Sequence, residues 1–321
     1  MKRALAVRPL RLSRPVALGL ISCLAAGPVL AQEDWFPSKY GADDEIGAAN
    51  LLSPEKVLEA AELITEGKTY ALGVPVGRDT PAFPPRSLAV TVLQPDQAHG
   101  ATFGANQMSY NDDIFTGWLG IGTQIDGLGH LGIDGVYYNG NQGSEFAKAT
   151  GLTKLGIEKI PPIVTRGVLI DMARHKGVER MNEGEVVSAD DLRAAMEEQG
   201  IEVRQADVVV IHTGWLSMLD EDPQRYGAGE PGIDAEAAEY LASLDPVAVG
   251  ADTWGVEAVP FAGDRVWEGH QVLLAKNGIY ILETLDTREL IEDGVQEFMF
   301  VLGQPLYRGA VQAIINPVAI R

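Results

Sequence analysis

The segment GTQIDGLGH, residues 122–130, brings an amide, a carboxylate and a histidine close together in the chain. Side chains two residues apart in an extended strand face the same side, so Gln124 and Asp126 are expected to project together. Gly127 and Gly129 allow a tight turn that returns His130 towards Asp126. Such a group can bind a divalent cation, or the aspartate can orient the histidine as a base. A plain structural role, with Asp126 capping a turn and His130 in the core, stays open.

A second candidate lies in HQVLLAKNGIYILE, residues 270–283. The pattern predicts His270 on a helix and Glu283 at the end of the apolar strand that follows. A glutamate at the end of a buried strand is costly unless it is paired or binds a metal ion. The alternative is that the strand simply emerges into water at Glu283.

The other three of the five histidines are less informative. His212 follows an apolar strand and fits a pocket wall or a structural role equally well. His99 lies in a long polar loop and His175 lies between two basic residues, so both are expected at the surface.

Four aromatic residues could wall a pocket for an aromatic substrate, although the core is the usual place for any one of them. They are Trp118, Trp215, Trp254 and Phe261. We take Trp254 and Trp118, together with His212, as candidate substrate-binding residues.

Strands and helices must position these side chains, and they do not follow a regular β-α-β alternation along the sequence. Ser53 and Pro54 predict the start of a helix that ends at Gly67, and Ser188 with Asp191 predicts a capping box. Further helices are expected at residues 234–244 and 265–277, and a long polar loop at 94–118. Strands are predicted at residues 70–76, 88–93, 168–171, 207–212, 246–250, 278–282 and 297–302. The pattern predicts a single α/β domain.

The N-terminus predicts export. Five basic residues and no acidic one precede a short apolar run, and Val29-Leu30-Ala31 supplies the small residues of a cleavage site. We therefore interpret residues 1–31 as a signal peptide, with residues 32–321 as the mature, periplasmic or secreted domain. The apolar run is shorter than the roughly 20 residues of a membrane-spanning helix.

Cys23, the only cysteine, supports an alternative route. Leu20-Ile21-Ser22-Cys23 resembles a bacterial lipobox, and cleavage there would leave Cys23 lipidated and the protein tethered to a membrane. The mature chain would otherwise contain no cysteine, which excludes disulfides and thiolate chemistry.

The charge excludes one class of partner. The whole chain has a formal net charge of −20; without residues 1–31 it carries 20 basic and 45 acidic residues, a charge of −25. Such a surface repels phosphate backbones, so a nucleic-acid partner is not expected. A small-molecule substrate is the expectation.

Several motifs resemble one known family. GIGTQIDGLGH, residues 120–130, aligns without a gap with the signature His-x-Gly-Thr-His-x-Asp, followed after three residues by His, of the cyclase family. That family includes bacterial kynurenine formamidases and isatin hydrolases. The motifs DGVYYNG (134–140), HTGW (212–215), ADTWGVEAVP (251–260) and HQVLLAKNGIYILETL (270–285) follow in family order. The resemblance runs from about residue 40 to the C-terminus.

The resemblance implies a fold, a chemistry and a site. It implies an α/β domain of mixed β-sheets packed with helices, commonly a homodimer or homotetramer, that hydrolyses amides or cyclic amides with bound Zn²⁺ or Mn²⁺. Asp126 matches a carboxylate metal ligand and His130 the histidine that moves protons. His270 and Glu283 resemble the late histidine and glutamate of the metal site.

Two positions depart from the signature: Gly120 and Gln124 stand where its first two histidines are expected. Glycine offers no ligand, and an amide oxygen is a weaker and harder donor than imidazole. We therefore expect one metal ion per chain, held by Asp126, His270 and Glu283. Gln124 is then a distant ligand or a hydrogen-bond donor in catalysis, and His130 is the general base.

Three functions remain in competition. The leading hypothesis is an exported metal-dependent hydrolase of an amide, lactam or ester bond in a small cyclic or aromatic substrate. The second is a lyase or cyclisation catalyst that stabilises an enolate. The third is a periplasmic binding protein with a degenerate site, which the departures at Gly120 and Gln124 favour.

Overall fold

Two apolar runs of the sequence form the parallel centre of a large mixed sheet. Val208–His212 pairs in parallel with Ile163–Asp171 on one side and with Ala248–Ala251 on the other. All five residues of Val208–His212 are buried, as expected of a strand that is covered on both faces. This arrangement is seen in a computed structural model that describes residues 35–93 and 102–321.

Nine strands among the described residues form this sheet, and they are numbered in chain order. They are β1 (Thr69–Ala71), β2 (Gln124–Asp126), β3 (Ile163–Asp171), β4 (Val208–His212), β5 (Ala248–Ala251), β6 (Tyr280–Glu283), β7 (Glu297–Leu302), β8 (Gln312–Ile314) and β9 (Val318–Ile320). Their spatial order is β1-β9-β7-β3-β4-β5-β6-β2-β8. Strands β3 to β6 run parallel, and the other neighbours are antiparallel.

Four helices matter for packing and for the site. They are α1 (Pro54–Ala61), α2 (Ala189–Gln199), α3 (Ala235–Ser243) and α4 (Glu268–His270), and α4 continues into a wider π-helical segment, Gln271–Lys276. Helix α1 packs on β3 and β7, whereas α3 packs against α2 and α4. Shorter helices are Gly143–Phe146, Met172–Lys176, Ser217–Glu221, Pro223–Tyr226 and Arg288–Glu292, with 3₁₀ turns at Gly47–Leu51, Tyr138–Gly140 and Ile157–Lys159.

Small two-stranded sheets lie outside the main sheet. They pair Leu88–Leu93 with Asp112–Gly117, Val136–Tyr137 with Asn141–Gln142, Ala147–Lys148 with Gly151–Leu152, and Val186–Val187 with Gly232–Ile233. Residues Trp35–Arg321 form one compact unit.

The prediction of a single α/β domain of mixed β-sheets packed with helices is confirmed, and so are the caps. Ser53 Oγ accepts a hydrogen bond from the Lys56 amide, and Ser188 and Asp191 form the reciprocal capping box at the start of α2. Asp234 caps α3 by accepting a hydrogen bond from the Ala237 amide.

Three predicted boundaries were wrong. Helix α1 ends at Ala61 rather than Gly67, because residues 62–64 already form turns. The strand expected at residues 70–76 is limited to Thr69–Ala71, since its pairing partner β9 is itself only three residues long. Part of the expected loop at 94–118 is the strand Asp112–Gly117, which pairs with Leu88–Leu93 and is exposed along its length.

Some predictions concern residues outside the described ranges. These are the signal peptide at 1–31, the lipobox cysteine Cys23 and the loop histidine His99. Within residues 35–93 and 102–321, no helix has the length and apolar character needed to cross a membrane.

Candidate active site

Three adjacent strands bring four polar side chains to one face of the sheet. In β2, Gln124 lies directly opposite Glu283 of β6, and Asp126 lies opposite Gln312 of β8. Opposed residues of antiparallel strands have their side chains on the same face and close together. The alternation within β2 explains why Gln124 and Asp126 share that face while Ile125, between them, is fully buried in the core.

Two amide side chains orient the carboxylates. Gln124 Nε2 donates to Asp126 Oδ1 over 3.0 Å and to Glu283 Oε2 over 2.5 Å. Gln312 Nε2 donates to Asp126 Oδ1 over 2.7 Å. One oxygen of each carboxylate is therefore bound by amide donors, which leaves Asp126 Oδ2 and Glu283 Oε1 to face the cavity histidines.

His270 is held from behind by a buried carboxylate. Glu257 Oε1 accepts from the His270 backbone amide over 2.7 Å and lies 2.6 Å from His270 Nδ1, and Glu257 Oε2 accepts from the Gly269 amide over 2.9 Å. A carboxylate bound at Nδ1 fixes the ring and directs Nε2 outward, which is the usual support of a metal-binding histidine. His270 Nε2 lies 3.3 Å from Glu283 Oε1 and 3.7 Å from Asp126 Oδ2.

The donor set fits a divalent cation. Asp126, His270 and Glu283 each offer one ligand atom, and these atoms lie within 4.8 Å of one another; no other such group of three occurs in the described parts of the chain. Two ligands that each lie about 2.1 Å from an ion are about 3.0–3.5 Å apart, close to the separations seen here. Asp126 Oδ2 is also buried without a hydrogen-bond partner among the described residues, as expected for an atom that faces a cation.

His130 approaches the same oxygen of Asp126 as His270 does. The His130 amide donates to the Gly127 carbonyl over 3.0 Å, and this turn brings His130 Nε2 to 3.7 Å from Asp126 Oδ2. Gly127 and Gly129 do not have left-handed backbone angles; close packing against their neighbours favours glycine at both positions. A Cβ at Gly127 would lie 2.9 Å from the Val311 carbonyl oxygen, and one at Gly129 would lie 2.5 Å from a methyl group of Leu152.

The four ionisable groups have shifted pKa values that follow from their burial and proximity. Burial would raise the pKa of Asp126, but His130 and His270 outweigh it and hold that pKa at about 2. Burial and the nearby Asp126 raise the pKa of Glu283 to about 7. Burial lowers the pKa of His130, which favours its neutral form. Although burial opposes it, hydrogen bonds to Asp126, Glu257 and Glu283 raise the pKa of His270.

A cavity of about 240 Å³ leads to this cluster. Gln124, Asp126, His130, His270 and Glu283 line its polar end.

The outer part of the cavity is aromatic, and Arg86 adds a cationic side chain to the lining. The ring of Trp254 lies 6.0 Å, centre to centre, from the rings of both Phe83 and Trp267, and Trp267 packs edge-on against His270. Arg86 also lines the cavity and donates from Nη1 to the Gly120 carbonyl over 2.9 Å.

The structure brings together Gln124, Asp126, His130, His270, Glu283 and Trp254, but it separates Trp118 and His212 from them. Neither of the two lines this cavity, so their grouping as substrate-binding residues is not reproduced. Trp118 follows an exposed strand and is 47% exposed. His212 ends β4 and contacts Thr287 and Asp252 elsewhere.

Sequence reasoning missed five residues of the site: Phe83, Arg86, Glu257, Trp267 and Gln312. Glu257 was within reach, because it is an acidic residue in the otherwise apolar end of ADTWGVEAVP. Gln312 depends on the pairing of β8 with β2, and Arg86 depends on a loop, so no local pattern marks either.

Comparisons with known proteins agree on the fold. The family model Cyclase, described as "Putative cyclase", matches residues 70–258. A solved structure described as a novel cyclase is 30% identical to this chain, with a TM-score of 0.81 over 88% of this chain and 96% of the other. No curated protein sequence matched.

More distant structures share the fold. Isatin hydrolase A from Ralstonia solanacearum is 17% identical, with a TM-score of 0.61 over 84% of this chain and 98% of the other. A predicted metal-dependent hydrolase from Bacillus stearothermophilus is 19% identical, with a TM-score of 0.53 over 79% of this chain and 98% of the other.

Proposed function

The chain belongs to the cyclase family, and on that premise we propose that it is a divalent-metal-dependent hydrolase of a carbon–nitrogen bond in a small aromatic or cyclic substrate. One observation carries the proposal. Asp126 Oδ2, His270 Nε2 and Glu283 Oε1 converge at the polar end of a cavity, and the first of these atoms is buried without a partner among the described residues. The hydrolase and metal-dependent hydrolase descriptions of structures with the same fold support it.

Asp126, His270 and Glu283 would hold the cation, which supplies Lewis acidity towards a carbonyl oxygen and lowers the pKa of a water. Two carboxylates and one imidazole neutralise a divalent ion and leave positions open for water and substrate. This oxygen-rich set favours Mn²⁺ relative to Zn²⁺ more than a histidine-rich set would. We propose one ion per chain.

His130 is the proton acceptor in this proposal. Its lowered pKa keeps the imidazole neutral near pH 7, and Asp126 at 3.7 Å stabilises the imidazolium that forms when it takes a proton from water. His130 then returns the proton to the leaving nitrogen. In total, water adds across the bond, giving an amine and a carboxylic acid, which loses its proton to the solvent.

The other polar residues orient the side chains of the site. Gln124 and Gln312 hold the carboxylates, so Gln124 acts as a positioning group rather than as a cation ligand. Glu257 fixes the orientation of His270. Phe83, Trp254 and Trp267 would exclude water from the outer cavity and pack against an aromatic substrate.

We also propose that the enzyme is exported, with Gln32 as the mature N-terminus, and that it forms a homodimer or homotetramer. The basic head and apolar run before Ala31 support export. N-terminal sequencing of protein made in a bacterial host tests the first point, and light scattering tests the second. A lipid-modified Cys23 would refute soluble export.

Metal analysis combined with a substrate panel tests the function. Protein loaded with Mn²⁺ or Zn²⁺ is assayed with N-formyl aromatic amines, isatin-like lactams and lactones. Metal-dependent ring opening or deformylation is expected. A protein that binds no stoichiometric metal and gains no activity from either ion would instead be a binding protein, and an aldol or dehydration product would indicate a lyase.

A further inference from the structure

Arg86 is a cavity-facing cation without a carboxylate partner. The only hydrogen bond of its guanidinium among the described residues is from Nη1 to the Gly120 carbonyl oxygen. A guanidinium group has five N–H donors, so most of its hydrogen-bonding capacity is unused. The contrast with Arg166 is informative, because that buried arginine is bound by both Asp207 and Glu297.

Gly120 makes room for this cation. A Cβ at Gly120 would lie 2.7 Å from Arg86 Nη1 and 2.7 Å from the amide end of Gln312. Any side chain at position 120 would therefore displace the guanidinium, or the glutamine that holds Asp126. The glycine, Arg86 and Gln312 form one packed unit at the polar end of the cavity.

The Arg86 guanidinium is free to bind an anion, because the nearby acidic groups have other partners. In the proposed function, Asp126 and Glu283 bind the divalent ion, and Glu257 is hydrogen-bonded to His270. Arg86 lies in a half-buried, partly apolar cavity. There, a guanidinium group binds a carboxylate more strongly than it would in water.

The backbone turn that carries Arg86 also carries Phe83. The Arg86 amide donates to the Phe83 carbonyl oxygen over 3.0 Å, which closes the turn Phe83-Pro84-Pro85-Arg86. Phe83, Trp254 and Trp267 lie with ring centres 6.0–6.5 Å apart. The indole Nε1 of Trp254 is buried without an acceptor among the described residues, so it is a second candidate donor.

We propose that Arg86 is the specificity-determining residue of this site and that it selects substrates in which an aromatic ring carries a carboxylate besides the bond to be cleaved. The inference rests on the proposed function, because the cavity is then the substrate site. Phe83, Trp254 and Trp267 bind the ring, and Arg86 pairs with the carboxylate.

Binding of two probes that differ only in charge tests this directly. Calorimetric titration of the purified protein with benzoate and with benzamide is carried out on the wild type, Arg86→Gln and Arg86→Lys. We expect the wild type to favour benzoate by about tenfold or more, Arg86→Gln to lose that preference and Arg86→Lys to retain part of it. Equal binding of the two probes, binding of neither, or an unchanged preference in Arg86→Gln would overturn the proposal.

Two controls keep the test specific. Arg78→Gln removes the same charge from an exposed residue outside the cavity, and it should leave the preference unchanged. Metal content measured alongside should match the wild type in every variant, which excludes an indirect effect through the ion. Phe83→Ala should lower the affinity for both probes by the same factor, because the contact with the aromatic ring does not depend on charge.

Turnover separates this proposal from the proposed function. N-formylanthranilate and formanilide are a charged and a neutral substrate of the same bond. Arg86→Gln is expected to raise the KM for N-formylanthranilate by about tenfold and to leave the KM for formanilide nearly unchanged. An equal loss of kcat for both would place Arg86 at the reacting carbonyl and contradict the inference. A protein that hydrolyses neither, yet prefers benzoate through Arg86, would refute only the proposed function.

Discussion

Residues 35–93 and 102–321 contain two buried histidine–carboxylate groups, and they differ in how many carboxylates surround each histidine. His212 has one such neighbour, Asp252, whose Oδ2 lies 3.4 Å from His212 Nδ1. The same Nδ1 is 2.7 Å from the Thr287 hydroxyl. His270 has three acidic neighbours, Asp126, Glu257 and Glu283, within 3.7 Å of its ring nitrogens.

This difference distinguishes a structural pair from a cation site. Asp252 Oδ1 accepts from both the amide and the hydroxyl of Thr213, so that group joins the ends of β4 and β5. Around His270, the three acidic groups outnumber the histidine, and burying unbalanced negative charge is costly. A divalent cation would offset that charge, whereas His212 faces a single carboxylate.

The largest contrast is expected from removing one carboxylate from each group. Asp126→Ala or Glu283→Ala should lose the bound metal and reduce turnover to the uncatalysed background. Asp252→Ala, the matched change, should keep the metal and cost about 1–3 kcal/mol of unfolding free energy, because it leaves the amide and hydroxyl donors of Thr213 without their acceptor. Elemental analysis and thermal unfolding measure both effects. Full metal occupancy in Asp126→Ala or Glu283→Ala would contradict the assignment.

A second contrast separates the base from the ligands. His130→Ala should retain one metal ion and lose about 10²–10⁴-fold in kcat, because only proton transfer is removed. His270→Ala should lose the ion itself. His175→Ala, at the helix Met172–Lys176, is the control and should change neither quantity. Metal loss in His130→Ala would show that His130 is a ligand.

A smaller effect on metal affinity is expected from changing Glu257, which orients His270. Glu257→Gln keeps the shape of the side chain but weakens the bond that orients the imidazole, so metal affinity should fall about 10–100-fold. Glu198→Gln is the matched control, because Glu198 belongs to a histidine–glutamate pair that does not line the cavity. Its Oε2 lies 3.0 Å from His175 Nδ1. Metal titration of both variants measures the difference in affinity. Equal affinities would show that Glu257 does not support metal binding by His270.

The smallest effect concerns pH. Burial and the nearby Asp126 raise the pKa of Glu283 to about 7, so a cation must displace a proton below that pH. For this proton alone, metal affinity should fall about tenfold per pH unit below pH 7. The raised pKa of His270 adds a second proton that the cation must displace, so the fall should be steeper. Affinity that stays constant between pH 5.5 and pH 8 would contradict these ionisation states.

The sequence was most informative where chemistry and secondary structure coincide. The alternation in β2 was enough to place Gln124 and Asp126 on one face. The helix-then-strand pattern located His270 and Glu283 on their elements, and the resemblance to the cyclase family grouped them as ligands. Period and capping are local properties, so α2, α3 and the central strands were also predictable.

What was missed depends on contacts between distant parts of the chain. Gln312 reaches Asp126 only because β8 pairs with β2, 186 positions away in sequence. Arg86 enters the cavity through a turn whose direction no periodicity reveals. Trp118 and His212 were grouped with the site by residue type alone, and type does not determine which side of a sheet or loop a residue occupies.

The position of a bound cation tests the central claim most directly. Crystals of the wild-type protein grown with Mn²⁺ should give one anomalous-scattering peak per chain, in contact with Asp126, His270 and Glu283. No peak is expected between His212 and Asp252. The absence of a peak at the first cluster, or a peak at His212 in its place, would contradict the account.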